Sequence, residues 1–212
     1  MKKAFGITLG LVAVLCLLAF AAAHLYLDAL LREALARAGV ANVAFESAAL
    51  EGYRGIRLQN VTIKGETEIR IAAVTLAHDK RLRVFGLDAA FGEIGVEGVE
   101  ADLLMESFSP PVFTHQAVTV KTLAAALPLT DGALDVSMDA GGKITIHKSG
   151  WKLAGGSLSS SPFSINLSDL STQLILTAEN LDLQRLFQIS PIDGLSLTGR
   201  VNGKIPIVIE GK

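Results

Sequence analysis

The sequence is short of cysteine, of aromatic residues and of any excess of one charge. Its single cysteine, Cys16, lies in an apolar stretch, and one thiol cannot form a disulfide within the chain. Lysine and arginine number 19 against 21 aspartate and glutamate, which argues against a nucleic-acid partner because such a partner requires a clustered basic surface. Aromatic residues make up 6% of the chain, so we expect a core built mainly from aliphatic side chains.

Catalytic and cofactor signatures are missing as well. The sequence contains no H-E-x-x-H, G-x-S-x-G, Walker A or G-x-G-x-x-G pattern. The four histidines are separated in sequence from other metal ligands, and His78, the only one beside a carboxylate, is expected in a solvated turn. We therefore predict no catalytic residues, no metal site, no cofactor and no enzymatic activity.

The first feature that is present is a long apolar stretch at the N-terminus. Residues 4–23 carry no charge and follow two lysines, and their length matches a helix that spans the hydrocarbon core of a bilayer. The positive-inside rule places the N-terminus in the cytoplasm and exports the remainder. A cleaved signal peptide is the alternative, because residues 21–23 resemble a cleavage site. The length of the apolar run favours a retained anchor, whose predicted residues are Phe5, Leu9, Leu11, Leu15, Leu18 and Phe20.

Leucine patterning continues beyond the predicted anchor. Residues 24–38 have helical spacing and stop before Gly39, a residue suited to the end of a helix. We expect a stalk helix that leaves the membrane and covers the first strand of the body. Residues 1–39 are thus predicted to form an anchor and stalk, followed by one β-segment over 40–108 and a second over 112–212 that continues the same sheet.

The most informative feature is one hydrophobic pattern repeated five times between residues 43 and 101. Each copy has apolar residues at its first, third, sixth and eighth positions, and the copies start 12 or 13 residues apart. This spacing fits a strand plus a tight turn. The phase slips by one residue in the middle of each copy, at Gln59-Asn60 for example, and a β-bulge there would return the apolar side chains to one face.

The repeat predicts an antiparallel meander, coiled by aligned bulges into a half-barrel or groove, with one aliphatic surface that we call the apolar face. Its predicted members are Phe45, Ile56, Leu58, Val61, Ile63, Ile69, Ile71, Val74, Leu76, Leu82, Val84, Leu87, Ile94, Val96 and Val99. The opposite surface, which we call the outer face, is expected to be polar and to carry Arg57, Gln59, Thr62, Lys64, Arg70, Thr75, Arg83, Glu97 and Glu100.

The second half returns to strands and tight turns after Pro110-Pro111. We predict two short helices here, over residues 121–127 and 180–188, and a hairpin turn at Asn202-Gly203. Trp151 is expected to pack across neighbouring strands. The predicted fold class is therefore mainly β: an N-terminal transmembrane helix, a long antiparallel meander and two short helices.

Two groups of stretches resemble a known family. Residues 55–65 (GIRLQNVTIKG) and 69–76 (IRIAAVTL), behind a positively flanked anchor, are similar to AsmA-like envelope proteins, and residues 180–187 and 194–207 resemble the YdbH branch. The resemblance implies an inner-membrane protein of diderm bacteria, single-pass with a periplasmic body, whose sheet curls into a hydrophobic groove that carries phospholipids toward the outer membrane. Relatives are several times longer, and in them the last hairpin continues into further strands.

We expect a lipid-transfer or envelope-maintenance protein whose apolar face binds phospholipid acyl chains. The expected partners are these acyl chains, the inner membrane and another envelope protein at the open C-terminal edge of the sheet. The alternative is a structural or assembly module that pairs through that edge and has a closed apolar core.

Overall fold

The structure is a computed structural model that describes residues 27, 31–33, 42–51, 55–65, 68–91, 94–108, 110–125, 127–166, 171–189 and 197–209. The predicted anchor, residues 4–23 with its six named side chains, lies outside the described residues. Across the residues that are described, no helix is long and apolar enough to cross a membrane.

The described chain is almost entirely antiparallel β-structure, as predicted. Its fourteen strands are β1 (Val43–Ala44), β2 (Ser47–Glu51), β3 (Gly55–Ile63), β4 (Ile69–Ala77), β5 (Arg81–Phe91), β6 (Ile94–Leu104), β7 (Ser107–Phe108), β8 (Pro111–Ala124), β9 (Leu129–Met138), β10 (Lys143–Leu153), β11 (Gly156–Ser160), β12 (Phe163–Asn166), β13 (Thr172–Asp182) and β14 (Arg200–Ile209).

The strands form one open meander. Along the sheet the order is β1, β3, β4, β5, β6, β8, β9, β10, β11, β13 and β14, while β2, β7 and β12 pair with β3, β8 and β10. No pairing among the described strands joins β1 to β14, so the sheet is not closed into a barrel. Eleven positions at a spacing of about 4.8 Å make the sheet about 50 Å wide.

The phase slips occur where the sequence predicts them, but their geometry differs from the predicted bulge. Gln59 lies opposite Ala73 and Val61 opposite Ile71, so β3 and β4 keep one register on both sides of Asn60. Between β4 and β5 the register is likewise the same on both sides of the slip. A bulge sets two residues against one, and this cannot arise where both strands carry an extra residue at the same level. The prediction of two-against-one bulges is therefore wrong for these pairs.

In β3 and β5 a residue in the left-handed backbone conformation lies at the slip instead. Asn60 has φ of 50° and Gly86 has φ of 61°, and the register places both at the level of Ala72 on the strand between them. Asparagine and glycine are the residues that adopt this conformation at least cost. Between β5 and β6 the register does shift, and Gly98 there has φ of 63°.

Helical structure is limited in the part of the chain that the structure describes. Of the predicted stalk, the described residues Leu27 and 31–33 are helical. The helix predicted over 180–188 is present as Leu183–Ile189, which we call the short helix. The helix predicted over 121–127 is wrong, because Lys121 to Ala124 complete β8. These residues pair with β6 and β9, and the pairing overrides their helical propensity.

The predicted hairpin at Asn202-Gly203 is also wrong. Both residues lie inside β14, opposite an irregularity of β13 between Ala178 and Leu181. There the side-chain oxygen Oδ1 of Asn202 accepts a hydrogen bond from the backbone N–H of Asn180 at 2.6 Å. The Asn-Gly pair therefore accommodates a bulge, and the chain does not turn at this point.

Candidate functional site

The apolar face is organised around one row of residues that crosses the sheet without a break. Each residue of the row is the cross-strand partner of the next, from β2 at one edge to β14 at the other. We call it the central row; it consists of Ala48, Leu58, Val74, Val84, Ala101, Val118, Leu134, Ser149, Ser160, Leu176 and Ile205. Direct partners in a pleated sheet project to the same side, so these side chains lie on one face.

A second row runs parallel to the central row on the other side of the slips. Val61 is opposite Ile71, Ile71 is opposite Leu87, and Leu87 is opposite Val99. Val99 in turn is opposite Val120. Asn60 in β3 and Gly86 in β5 lie between the two rows, and the apolar side chains on both sides of them share one face, which is what the five-fold repeat predicts.

The apolar face is covered only in part. Among the described residues, no large side chain is completely buried, and most members of the central row are half-buried. Leu76 at one rim is 42% exposed and Ile205 on β14 is 46% exposed. Within the described residues no second layer covers the whole of this surface, and an exposed apolar surface is typical of a site of interaction. The described residues thus leave much of the apolar face open, whereas the alternative predicts a closed core.

Most of the buried hydrophobic residues fall into three clusters along the sheet. The first contains Phe45, Val61 and Ile71, the second Met105, Phe113, Val136 and Ile146, and the third Leu153, Leu158, Ala178 and Leu181. Most of their packing partners belong to the same sheet. Side chains on one face can bury one another in this way only if the sheet curls toward that face, which gives a groove-like shape.

Helices cover the face near its two edges. Leu27 and Leu31 pack on the first cluster, and the side chain of Arg32 stacks on the ring of Phe45 at 4.4 Å and donates a hydrogen bond to its carbonyl oxygen at 2.7 Å. At the other edge Leu186 of the short helix packs on the third cluster. The second cluster consists only of residues of the strands and of the β6–β7 junction, so within the described chain the middle of the face has no helical cover.

The structure places all fifteen predicted residues on the described strands or, for Phe45, between β1 and β2. Nine of them are brought together in the first cluster: Phe45, Leu58, Val61, Ile63, Ile69, Ile71, Val74, Val84 and Leu87. Leu82 packs on the second cluster, and Ile94 at the start of β6 is 48% exposed. Their contact with lipid stays a prediction.

The predicted site residues end at Val99, and sequence reasoning did not name the residues that continue the face beyond residue 101. The central row includes a hydroxyl pair, Ser149 and Ser160, whose Oγ atoms are 2.7 Å apart, and this pair interrupts the aliphatic pattern of β10 and β11. Ser149 is buried, and the mutual hydrogen bond satisfies a polar group that would otherwise be costly on an apolar surface. The alternation of apolar and polar residues along β13 and β14 was the signal in the sequence that the apolar face extends to Ile205.

The outer face carries polar and charged side chains beside a few exposed apolar ones such as Phe85 and Val208, and one of the residues predicted to be solvated there is buried. Thr75 on β4 lies between two cross-strand partners, Arg57 on β3 and Arg83 on β5. Thr75 is buried rather than solvated because both of these neighbours have long side chains. Arg83 Nε and Arg81 Nη1 each lie 3.3 Å from Asp102 Oδ2. Arg57 also lies over the ring of Phe85, at 5.8 Å from its centroid.

Two histidines that are distant in sequence meet on the outer face. The rings of His115 on β8 and His147 on β10 stack with centroids 3.8 Å apart. His115 Nδ1 lies 3.1 Å from Asp135, and His147 Nε2 lies 2.8 Å from Ser137 Oγ. Within the described ranges no three His, Cys, Asp or Glu side chains are grouped so that they could hold a metal ion.

An open, curled sheet with one continuous, partly exposed apolar face defines a β-groove protein. The family model YdbH-like, described as intermembrane phospholipid transport protein YdbH, matches residues 81–212. The match covers more than half of the chain, and the chain belongs to this family of intermembrane phospholipid transport proteins. Neither the curated proteins nor the solved structures include a match.

Proposed function

We propose that the apolar face binds the acyl chains of phospholipids, and that the protein takes part in phospholipid transfer between the inner and outer membranes without covalent chemistry. The observation that carries this proposal is the central row, which is unbroken across eleven strand positions yet only half-buried. Membership of the YdbH-like family supports the same assignment, because the family is described by intermembrane phospholipid transport.

The energetics favour an acyl chain as the occupant. Burying apolar surface releases about 25 cal/mol for each Å², or about 0.8 kcal/mol for each methylene group. A chain lying along the central row would cover the exposed parts of aliphatic side chains from several strands at once. The site needs no specific hydrogen bonds for this, so a lipid could move along the row with little change in free energy.

The placement of the protein follows from the apolar stretch over residues 4–23. We propose that this stretch is a retained single-pass anchor in the bacterial inner membrane, with the N-terminus in the cytoplasm and the sheet in the periplasm. The described helical residues Leu27 and Leu31 pack on the start of the apolar face, which supports a continuous path from the anchor to the groove.

Pairing with another envelope protein is a second role, favoured by β14. Among the described strands β14 pairs with β13 alone, and nearly all of its residues are exposed. Such an edge can accept a strand from another chain. This role is compatible with lipid binding, because an added strand would extend the apolar face beyond Ile205.

The test is the identification of lipid that accompanies the full chain. The protein is purified from membranes in a mild detergent, and bound molecules are measured by native mass spectrometry and by lipid extraction. We expect phospholipid at one or more molecules per chain. A folded chain that carries no phospholipid under conditions where a known lipid carrier retains its own would contradict the proposal.

A further inference from the structure

One rim of the sheet contains a cavity of about 280 Å³ on the outer face, where β2 and β4 end and β3 and β5 begin. We call it the rim cavity. Among the residues that line it are Glu51, Thr75, Asp79, Arg81 and Arg83, so that charged side chains of both signs surround the same space. A cavity with this composition suits a ligand that carries both a negative and a positive group.

The ion pairs made by the arginines of the rim cavity are long. Arg81 Nη1 and Arg83 Nε are 3.3 Å from Asp102 Oδ2, and Arg81 Nε is 3.7 Å from Asp79 Oδ2. Strong charge-assisted hydrogen bonds between nitrogen and oxygen are shorter, at about 2.7–2.9 Å. Because these pairs are long and partly solvated, the guanidinium groups can turn toward an incoming anion at little cost.

Two buried polar atoms near Arg81 and Arg83 have no hydrogen-bond partner among the described residues. Thr75 is 3% exposed, and no described residue forms a hydrogen bond with its hydroxyl or with Nε of the neighbouring Arg57. A buried polar group without a partner costs free energy. Movement of Arg83 toward a ligand would uncover Thr75, since the two residues are cross-strand partners, and would give its hydroxyl an acceptor.

The rim cavity adjoins the apolar face through the residues next to it in sequence. Leu50 precedes Glu51 and Leu76 follows Thr75, and both leucines project to the apolar face at the same strand ends, where they are 39% and 42% exposed. A ligand with an apolar tail and a charged head can therefore lay the tail on the leucines and bring the head over the rim.

We propose that the rim cavity binds the headgroup of a zwitterionic phospholipid, with the phosphate against Arg81 and Arg83 and a primary ammonium against Glu51 and Asp79. This inference rests on the proposed function, because the acyl chains are placed on the apolar face. A headgroup without the ammonium would meet the two carboxylates with no positive charge to offset them, so the rim cavity favours a phosphoethanolamine headgroup over a phosphoglycerol headgroup.

The experiment measures which lipid the full chain takes from mixed vesicles. The vesicles contain equal amounts of phosphatidylethanolamine, phosphatidylglycerol and diacylglycerol, and bound lipid is quantified by mass spectrometry. The variants are E51Q/D79N, R81Q/R83Q and, as a matched control, R70Q. Arg70 is an exposed arginine on the same face, paired with Glu68 at 2.6 Å and distant from the rim cavity.

We expect the wild-type chain and R70Q to prefer phosphatidylethanolamine over phosphatidylglycerol. E51Q/D79N should lose most of this preference, by about tenfold, and R81Q/R83Q should lower binding of both phospholipids relative to diacylglycerol by a similar factor, because charged hydrogen bonds are removed. Soluble phosphoethanolamine is then added in excess. If the rim cavity is a site for the free headgroup, the added compound saturates it without displacing lipid. If the rim cavity is a lipid site, binding needs the acyl chains and the added compound does not saturate it.

The outcomes separate the two proposals. If all three lipids bind and the ratios are the same in the wild type and in both double variants, the headgroup site is refuted while acyl-chain binding stands. If diacylglycerol and both phospholipids fail to bind, the proposed function itself fails, and the headgroup site fails with it.

Discussion

The indole ring of Trp151 on β10 packs directly over the backbone of Gly132 on β9. A Cβ atom built on Gly132 would lie 2.3 Å from Cζ3 of the ring, which is far inside van der Waals contact. Trp151 is also the cross-strand partner of Leu158 and packs on the third cluster. The predicted role of Trp151 as a cross-strand packing residue is therefore confirmed, and Gly132 is the residue that makes room for it.

The first prediction concerns this contact. Gly132→Ala should lower the free energy of unfolding by about 1–3 kcal/mol, because the added methyl group must displace the ring. Gly150→Ala is the matched control, since a Cβ there meets nothing within 4 Å. Chemical denaturation followed by tryptophan fluorescence measures both. Equal stability of the two variants would show that the ring does not occupy this position.

The second prediction concerns the phase slip at Asn60. Asn60→Val should destabilise the sheet by about 1–2 kcal/mol, because a β-branched residue resists a φ of 50°. Asn60→Gly tolerates the conformation and loses only the hydrogen bond from the Asn60 side chain to the Glu46 carboxylate. Thermal unfolding of the two variants separates the contributions, and a glycine variant as unstable as the valine variant would argue against a backbone origin.

The third prediction compares the two faces on one strand. Ile205→Glu places a charge on the apolar face, whereas Val208→Glu places it on the outer face at a position that is 62% exposed. Both side chains are exposed, so neither change should cost much stability. The amount of phospholipid bound to the purified chain should fall severalfold for Ile205→Glu and stay unchanged for Val208→Glu. Equal loss in both variants would point to an effect on the edge strand as a whole.

The fourth prediction concerns the proposed anchor. Leu15→Arg places a charge near the centre of the apolar stretch, at a cost of about 2.5–3.5 kcal/mol for membrane insertion. The variant should move from the membrane fraction to the carbonate-soluble fraction, while the control Leu15→Ile stays membrane-bound. N-terminal sequencing of the wild-type chain completes the test, since a mature chain beginning near His24 would establish a cleaved signal peptide.

Much of the first half of the sheet could be predicted from the sequence because the repeat is regular. The period of 12 or 13 residues is the combined length of one strand and one turn. The slip within each copy marks where the backbone changes conformation. The alignment of the slips was predicted, but the sequence could not reveal that aligned slips leave the register between strands unchanged. Register depends on which residues are paired across strands. Asn60 and Gly86 lie on either side of Ala72, at the same level, only once the sheet has folded.

The second half was harder because its signals are local. Residues 121–127 consist of good helix formers, yet the pairing of Leu123 with Val96 and Leu129 completes a ladder whose hydrogen bonds outweigh that propensity. Asn202-Gly203 has the composition of a hairpin turn, but in the structure the pair lies within β14 opposite a bulge in β13. The rim cavity was beyond reach for another reason: Glu51, Thr75 and Arg83 come from three strands, and each looks like an ordinary outer-face residue in the sequence.

The most direct test of lipid on the apolar face is site-specific photocrosslinking in cells. A photoreactive amino acid is placed at Ile205 or Leu76 on the apolar face and, as controls, at Val208 or Arg70 on the outer face, and crosslinked adducts are identified by mass spectrometry. We predict phospholipid adducts at Ile205 and Leu76 and none above background at Val208 and Arg70. Adducts distributed equally over both faces, or found only with protein, would contradict a lipid-binding groove.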